Sequence, residues 1–324
     1  MGSHIVLELL RRGEEVRALY RSEKGKIETE RLFGFYNQSN LFNKIEWFQC
    51  DVMDVSGLEE AMTDVQHVYH CAAIVSYHAK DRKEMYRINV EGTANVVNVA
   101  LESGIEKLLH VSSIAALNRF HANPVTEEGE WVDSTDNTHY GITKHLSEME
   151  VWRGGQEGLC HVILNPGFII GPGDFTRSST SVFMKLNEGM AYYPPGGTGF
   201  IGVHDVVAAA VGLMKSPLHG ERYIAVAENG SMKQLFQGIS KALGKPEPQK
   251  LAAGWMLQVA RIFEWIKEKI TGKKALVTRE TVKNASLRFY YSSEKIKSAL
   301  GIEFQPIEQA IDQGAEYFKS GPRR

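Results

Sequence analysis

Cysteine is scarce in this 324-residue chain: Cys50, Cys71 and Cys160 are the only three, no two of them form a C-x-x-C pair, and an odd count completes no disulfide framework. A reducing cytoplasm is the simplest setting for such a chain. An excess of charge of either sign is also missing, with 37 Lys+Arg against 39 Asp+Glu and a net charge of -2. That balance excludes a strongly basic nucleic-acid binder, and 43% hydrophobic residues exclude a disordered chain. Long charge-free apolar runs are absent as well. The most apolar C-terminal stretch, residues 251–270, loses its charge-free character at Arg261, well short of the ~20 residues a membrane-spanning helix needs. At the other end, Glu8, Arg11 and Arg12 interrupt the apolar run, unlike a signal peptide. There is no H-E-x-x-H and no G-x-S-x-G, and Gly238 to Lys245 misses P-loop spacing by one residue, so no metal site is expected and serine-hydrolase chemistry loses its support. A small molecule is the partner that remains.

What the chain does contain is an alternation of short apolar strands with helices. An apolar-striped helix over 3–12 (Ile5, Val6, Leu9, Leu10) stops at Gly13, and strands are predicted at 16–20, 45–50, 67–72, 107–112 and 161–165. This pattern implies a parallel sheet covered on both faces. The longest connecting helix is predicted over 85–103. After Pro166 the texture changes to a glycine- and proline-rich stretch, 167–202, which reads as loops and short strands of a substrate lobe. Helices are predicted at 204–215, 232–243, 252–271 and 307–319. At roughly 150 residues per domain, the length suggests about two domains. Boundaries follow at 1–166 for a dinucleotide-binding domain and 167–324 for the substrate lobe, with 200–226 returning to the first.

Two motifs need their context before they carry weight. Gly196-Gly-Thr-Gly199-Phe-Ile-Gly202 spells a dinucleotide fingerprint, but Tyr193-Pro194-Pro195 stands where a buried strand is required, so a loop is the better expectation. Tyr-x-x-x-Lys occurs three times, at Tyr20/Lys24, Tyr140/Lys144 and Tyr291/Lys295. Only Tyr140-Gly-Ile-Thr-Lys144 opens a helix that follows a strand ending Val111-Ser112-Ser113, and one helical turn puts its two side chains on one face. Ligands bind at the carboxyl edge of an open α/β sheet, where Ser113 and Tyr140 can converge. A phenol beside an ammonium can exchange a proton near neutral pH, and Ser113 can hold a substrate oxygen. These three residues suit carbonyl chemistry.

The ordered set of motifs resembles the extended short-chain dehydrogenases/reductases, the NAD(P)-dependent epimerase/dehydratase family, nearest its dihydroflavonol-reductase-like branch. The resemblance is carried by Gly2-Ser-His-Ile-Val-Leu-Glu-Leu-Leu, Asp51-Val-Met-Asp54, His70-Cys-Ala-Ala73, Asn89-Val-Glu-Gly-Thr-Ala-Asn95, Val111-Ser-Ser113, Tyr140 to Lys144, Asn165-Pro-Gly167 and Gly171-Pro172. It implies a Rossmann-like doubly wound parallel sheet with a smaller C-terminal α/β substrate lobe, and Ser113, Tyr140 and Lys144 as catalytic residues. It further implies cofactor binding at Gly2, Asp51, Val52, Ala72, Ala73, Lys144, Pro166 and Gly167. Asp51 would bond the adenine, the Ala72 and Ala73 backbone would line the dinucleotide, Lys144 would grip the nicotinamide ribose, and Pro166 and Gly167 would shape the nicotinamide end. Asn89 is read as an anchor for a water or a backbone carbonyl near the site, or as an ordinary helix-face asparagine.

Charge argues for the cofactor. The second strand ends Leu19-Tyr20-Arg21 with Lys24 close behind, and an arginine there accommodates a ribose 2′-phosphate, so NADP(H) is expected over NAD(H). The function expected is an oxidoreductase that reduces an aldehyde or ketone, or oxidises the alcohol. A nucleotide-sugar epimerase/dehydratase with retained NAD is the alternative, and a non-catalytic dinucleotide-binding scaffold or sensor the second. Arg177, Arg222 and Arg288 are candidates for a diphosphate clamp, with exposed salt-bridging arginines as the plainer reading. The apolar helix 252–271 is expected to pack in the lobe; a pocket wall, a homodimer contact and a membrane-surface helix are its other readings. Finally, Gly2 matches the last glycine of the family's N-terminal fingerprint. The expectation is therefore one further strand and glycine turn upstream, about ten residues, unless Met-Gly-Ser-His is an appended sequence that happens to match.

Overall fold

The computed structural model describes residues 1–119, 123–176, 179–252, 254–256, 258–259, 261–263 and 278–321. Its largest sheet is parallel throughout, in the order β3 (His67–His70), β4 (Lys107–Val111), β5 (His161–Pro166) and β9 (Glu221–Ala225). The registers Val68↔Leu108, Leu109↔Val162 and Leu164↔Tyr223 fix its central rows. Successive side chains of these strands enter opposite cores, as the two-residue period of a strand demands. Leu109, Val162 and Leu164 pack with Val206 and Ala210 of the Val203–Lys215 helix and with Ile5. Leu108 and Ile163 pack the other way, with Val96 and Val97 of the Gly92–Glu102 helix and Val151 of the His139–Gln156 helix. Helices thus cover both faces, and this is a doubly wound α/β fold.

A second parallel pair, β1 (Arg17–Tyr20) with β2 (Glu46–Gln49), forms its own sheet, and among the described residues it shares no ladder with β3. The Gly2–Arg11 helix joins the two: Leu7 and Leu10 pack with Ala18 and Phe33, while Ile5 packs with Leu109 and Val162. Its stop at Gly13 is made by a φ of 80°, a conformation that glycine adopts without strain.

The smaller lobe has, after a two-residue strand β7 (Tyr192–Tyr193), β8 (Gly197–Gly202) between β6 (Phe168–Ile170), which it pairs in parallel, and β10 (Glu228–Ser231), which it pairs antiparallel. Phe183, Phe200, Leu235, Ile239, Ile311 and Tyr317 form its core. Residues 196–202 are therefore mostly strand and not the expected loop, and their glycines serve packing. A Cβ on Gly199 would come within 2.6 Å of Val226 Cγ2, and one on Gly197 within 2.6 Å of the Gly230 carbonyl oxygen. The fingerprint look-alike records crowded strands. The helix expected over 85–103 is present and runs without a gap, with a π-type turn, Arg87–Glu91, set between Arg82–Tyr86 and Gly92–Glu102. Most of the helix expected at 252–271 lies outside the described residues. Among the described residues no helix is long and apolar enough to cross a membrane, and all three cysteines are free thiols.

Candidate active site

Ser113 and Tyr140 come together through two local devices. Directly after β4, Ser113 caps a short turn, Ile114–Ala116, its Oγ accepting the Ala115 N–H at 3.1 Å, while Asn165 of β5 donates to the Ser113 carbonyl at 3.0 Å. The Ser113 hydroxyl proton remains for Tyr140, to which it is hydrogen bonded. Tyr140 opens the His139–Gln156 helix, whose N-cap Thr138 accepts the Gly141 N–H at 3.0 Å. Next to it, Gly141 lies so close to the Ser113 turn that a Cβ would stand 2.6 Å from the Ala115 carbonyl oxygen. That close approach seats the tyrosine against the serine. Burial, together with the neighbouring Tyr77 phenol, pushes the Tyr140 pKa up, and the Ser113 bond works the other way.

Lys144 follows one turn along the same helix and is 1% exposed. Its Nζ donates to the Val111 carbonyl at 3.0 Å and meets His110 Nε2 at 3.1 Å. Burial lowers its pKa to about 8, and the Glu148 carboxylate, a further turn along, opposes that fall. His110 is held far below the ordinary imidazole range by burial and by Lys144, so its neutral ring accepts from the ammonium. Glu148, itself fully buried, accepts from Ser112 Oγ at 2.5 Å and Asn165 Nδ2 at 2.6 Å, and lies 3.3 Å from Arg222 Nη1. Arg222 also donates to the Glu127 and Gly129 carbonyls. It is thus an interior structural cation, neither a diphosphate clamp nor an exposed arginine. Arg288 is exposed, and Arg177 falls outside the described residues.

Asn89 sits in the π-type turn and clasps the chain beyond β3. Its Oδ1 accepts the Ile74 N–H at 2.7 Å, and its Nδ2 donates to the Ile74 carbonyl at 2.9 Å and to Thr143 Oγ1 at 3.0 Å. Both readings of this residue meet here: it is on a helix face and it anchors a backbone carbonyl. Sequence reasoning singled out neither Gly141, His110 and Glu148 nor Tyr77, whose ring meets that of Tyr140 edge-on at 6.3 Å. The signal for Gly141 was present, since a glycine beside the helix N-cap is an unforced choice unless something crowds it.

The residues expected at a dinucleotide stand along the carboxyl ends of β1 to β5. Arg21, after β1, lies 3.8 Å from the Asp51 carboxylate after β2, so these two expected ligands face one place. Asp51 also accepts the Met53 N–H at 3.0 Å, and Val52 gives its carbonyl to Asn95 at 3.1 Å. Lys24 turns away to Asp174, at 3.5 Å. Ala72 and Ala73, after β3, are exposed, and Gly2 opens its helix beside Cys71. Pro166 ends β5, and Gly167 packs so closely that a Cβ would stand 2.6 Å from the Gly199 carbonyl oxygen. A half-exposed carboxylate, open backbone after β3 and a buried ammonium fit a dinucleotide laid across this edge. Among the described residues no cluster of three His, Cys, Asp or Glu side chains is placed to hold a metal.

Fold and site define a Rossmann-like enzyme of the NAD(P)-dependent oxidoreductase class. The profile of the NAD dependent epimerase/dehydratase family matches residues 1–225, and the chain belongs to that family. It is 30% identical to a putative dihydroflavonol 4-reductase of Synechocystis sp., over 99% of this chain and 92% of the relative. It is 31% identical to sterol demethylase protein B of Methylococcus capsulatus, over 77% and 73%. The solved UDP-glucose 4-epimerase of Thermotoga maritima shares the fold, with a TM-score of 0.77, 18% identity, and coverage of 98% of this chain and 95% of that one.

Proposed function

We propose that this enzyme reduces the carbonyl of a small molecule to an alcohol, with NADPH as the favoured cofactor and Ser113, Tyr140 and Lys144 as its catalytic residues. The observation that carries the reading is the hydrogen-bonded Ser113–Tyr140 pair at the carboxyl edge, with a buried ammonium one turn behind. The bound nicotinamide supplies a hydride to the carbonyl carbon. The chain supplies everything else: Ser113 Oγ holds the carbonyl oxygen, and Tyr140 gives that oxygen its proton as the charge on it grows. Burial keeps the Tyr140 proton in place until then, which suits a donor in the reducing direction. Lys144 would hold the nicotinamide ribose, Asp51 the adenine, and the backbone of Val52, Ala72, Ala73, Pro166 and Gly167 would line the path between them. Arg21, its side chain 65% exposed at the end of β1, would meet the 2′-phosphate.

A reductase is favoured over an epimerase because the relatives near 30% identity carry reductase or demethylase names and because Arg222 is committed to the interior. The functional test is oxidation of NADPH by purified protein with a panel of aldehydes and ketones. Tyr140→Phe is expected to lower turnover about 100- to 10,000-fold, and Arg21→Asp to weaken NADPH while sparing NADH. Turnover of UDP-sugars by protein carrying a copurified, non-exchanging dinucleotide would refute the reductase reading.

A further inference from the structure

Leu108 and Leu109 of β4 are fully buried, and so is the residue that follows them, His110. Packing alone gives no reason for an imidazole at this depth, because only part of its hydrogen-bonding capacity is used. Nε2 lies 3.1 Å from Lys144 Nζ and 3.2 Å from Ser147 Oγ, and Nδ1 has no partner among the described residues. The neighbours decide which nitrogen carries the ring proton. An ammonium has three donors and no acceptor, so an Nε2–H facing Lys144 would set two donors against each other. Ser147 makes a weaker demand the other way: its hydroxyl proton goes to the Lys144 carbonyl at 2.7 Å, which leaves its oxygen to accept. A bond to a charged group outweighs a neutral one of similar length. Nε2 is therefore bare, and the proton sits on the unpartnered Nδ1. The fold tolerates an unmet buried donor, and what the ring gains is one lone pair aimed at Lys144.

We propose that His110 is a positioning residue for the cofactor: together with the Val111 carbonyl it occupies two of the three Lys144 N–H groups and leaves the third for the nicotinamide ribose. The inference rests on the reading of Lys144 as the ribose-binding cation. An ammonium turns freely about its Cε–Nζ bond, and two fixed acceptors on β4 stop that rotation and so aim the remaining donor. The ring also keeps the buried nitrogen charged. The titratable groups acting on Lys144 are Glu148 on its own helix and Cys71 beyond β3, with His110 in contact and His70 of β3 behind it, the two ring centroids 5.1 Å apart. Burial holds both imidazoles neutral and the Cys71 thiol protonated. Glu148 is engaged by Ser112, Asn165 and Arg222. His110 is thus the acceptor side chain in direct contact with the ammonium.

The test reads NADPH binding to the full chain by the cofactor's fluorescence, without turnover, across the pH range in which Lys144 titrates. Wild-type affinity is expected to fall as pH rises through about 8, where the buried ammonium is lost. His110→Leu removes the acceptor and suits its apolar neighbours. Its midpoint should move down by about one to two pH units, the scale of a hydrogen bond to a charged group. At pH about 8 that shift weakens NADPH about 5- to 50-fold, while the KM of the carbonyl substrate stays unmoved. His110→Gln, whose amide oxygen accepts in place of Nε2, should restore the wild-type midpoint. A folded His110→Leu protein with the wild-type midpoint would overturn the proposal. Nitrogen-15 NMR of histidine-labelled wild type, with His110 assigned as the signal that His110→Gln lacks, is a second arm. The Nδ1–H tautomer is expected below pH about 8, and an Nε2–H tautomer there would overturn the proposal equally. Should His110→Leu fail to fold, that tautomer decides. Absence of NADPH oxidation with every carbonyl would remove the reductase reading, while the binding midpoint and the tautomer would still report on His110.

Discussion

Replacing Gly141 with alanine opposes two effects of known sign. In an unobstructed helix, Gly→Ala stabilises by about 1 kcal/mol, because alanine restricts the unfolded chain and loses nothing in the helix. At Gly141 the new Cβ would stand 2.6 Å from the Ala115 carbonyl oxygen and 3.2 Å from Thr138 Oγ1. Ordinary contact needs about 3.5 Å, so the helix must lift by most of an ångström or the turn must yield. The turn is held at both ends, by the Ala115 N–H on Ser113 Oγ and by Asn165 on the Ser113 carbonyl. Overpacking of this kind costs about 1–3 kcal/mol, so a net loss of stability is expected. The separation of Ser113 from Tyr140 would open by a similar distance, which lowers turnover by about 100-fold. Gly25, in the Glu23–Phe35 helix with nothing within 4 Å of its added Cβ, is the control, and Gly25→Ala should stabilise. Chemical denaturation and kcat measure both. A Gly141→Ala protein as stable as Gly25→Ala and fully active would refute the reasoning.

Two further outcomes follow from the buried charges. Lys144 titrates lower in the fold, at about 8, than in the unfolded chain, near 10.5. The folded state therefore binds its proton less well, so this lysine contributes rising stability from pH about 8 to about 10.5, while cofactor affinity that depends on the ammonium falls over the same range. Denaturation midpoints of wild type and Lys144→Met across that window check it, and parallel curves would rule it out. Arg222→Ala leaves the fully buried Glu148 without its nearest cation and three bonds fewer to the Glu127 and Gly129 carbonyls. A loss of about 3–5 kcal/mol is expected. Adding Glu148→Gln should recover part of it, and a double variant no better than Arg222→Ala would disprove the charge argument.

Much of the fold was legible because the periodicities are local. Strands at 107–112 and 161–165 were expected within a residue of β4 and β5, since fully buried parallel strands read as short apolar runs. Local signals misled where glycine served a distant neighbour. Residues 196–202 look like a loop because their glycines are mobile in isolation, yet Val226 and the Gly230 carbonyl, far along the chain, crowd them into a strand. The same blindness hid the π-type turn, from which Asn89 reaches Ile74.

By itself the sequence determined the alternation of strand and helix, the family, and the spacing that puts Tyr140 and Lys144 on one helix face. Those properties depend on residues within a turn or two of each other. Only the tertiary structure decided that Gly141 presses on the Ser113 turn and that Lys144 leans on His110 and the Val111 carbonyl. It also decided that Arg222 serves the interior. Burial sets the cost of a charge and the pKa of a phenol or an ammonium, and burial is settled by neighbours from remote parts of the chain.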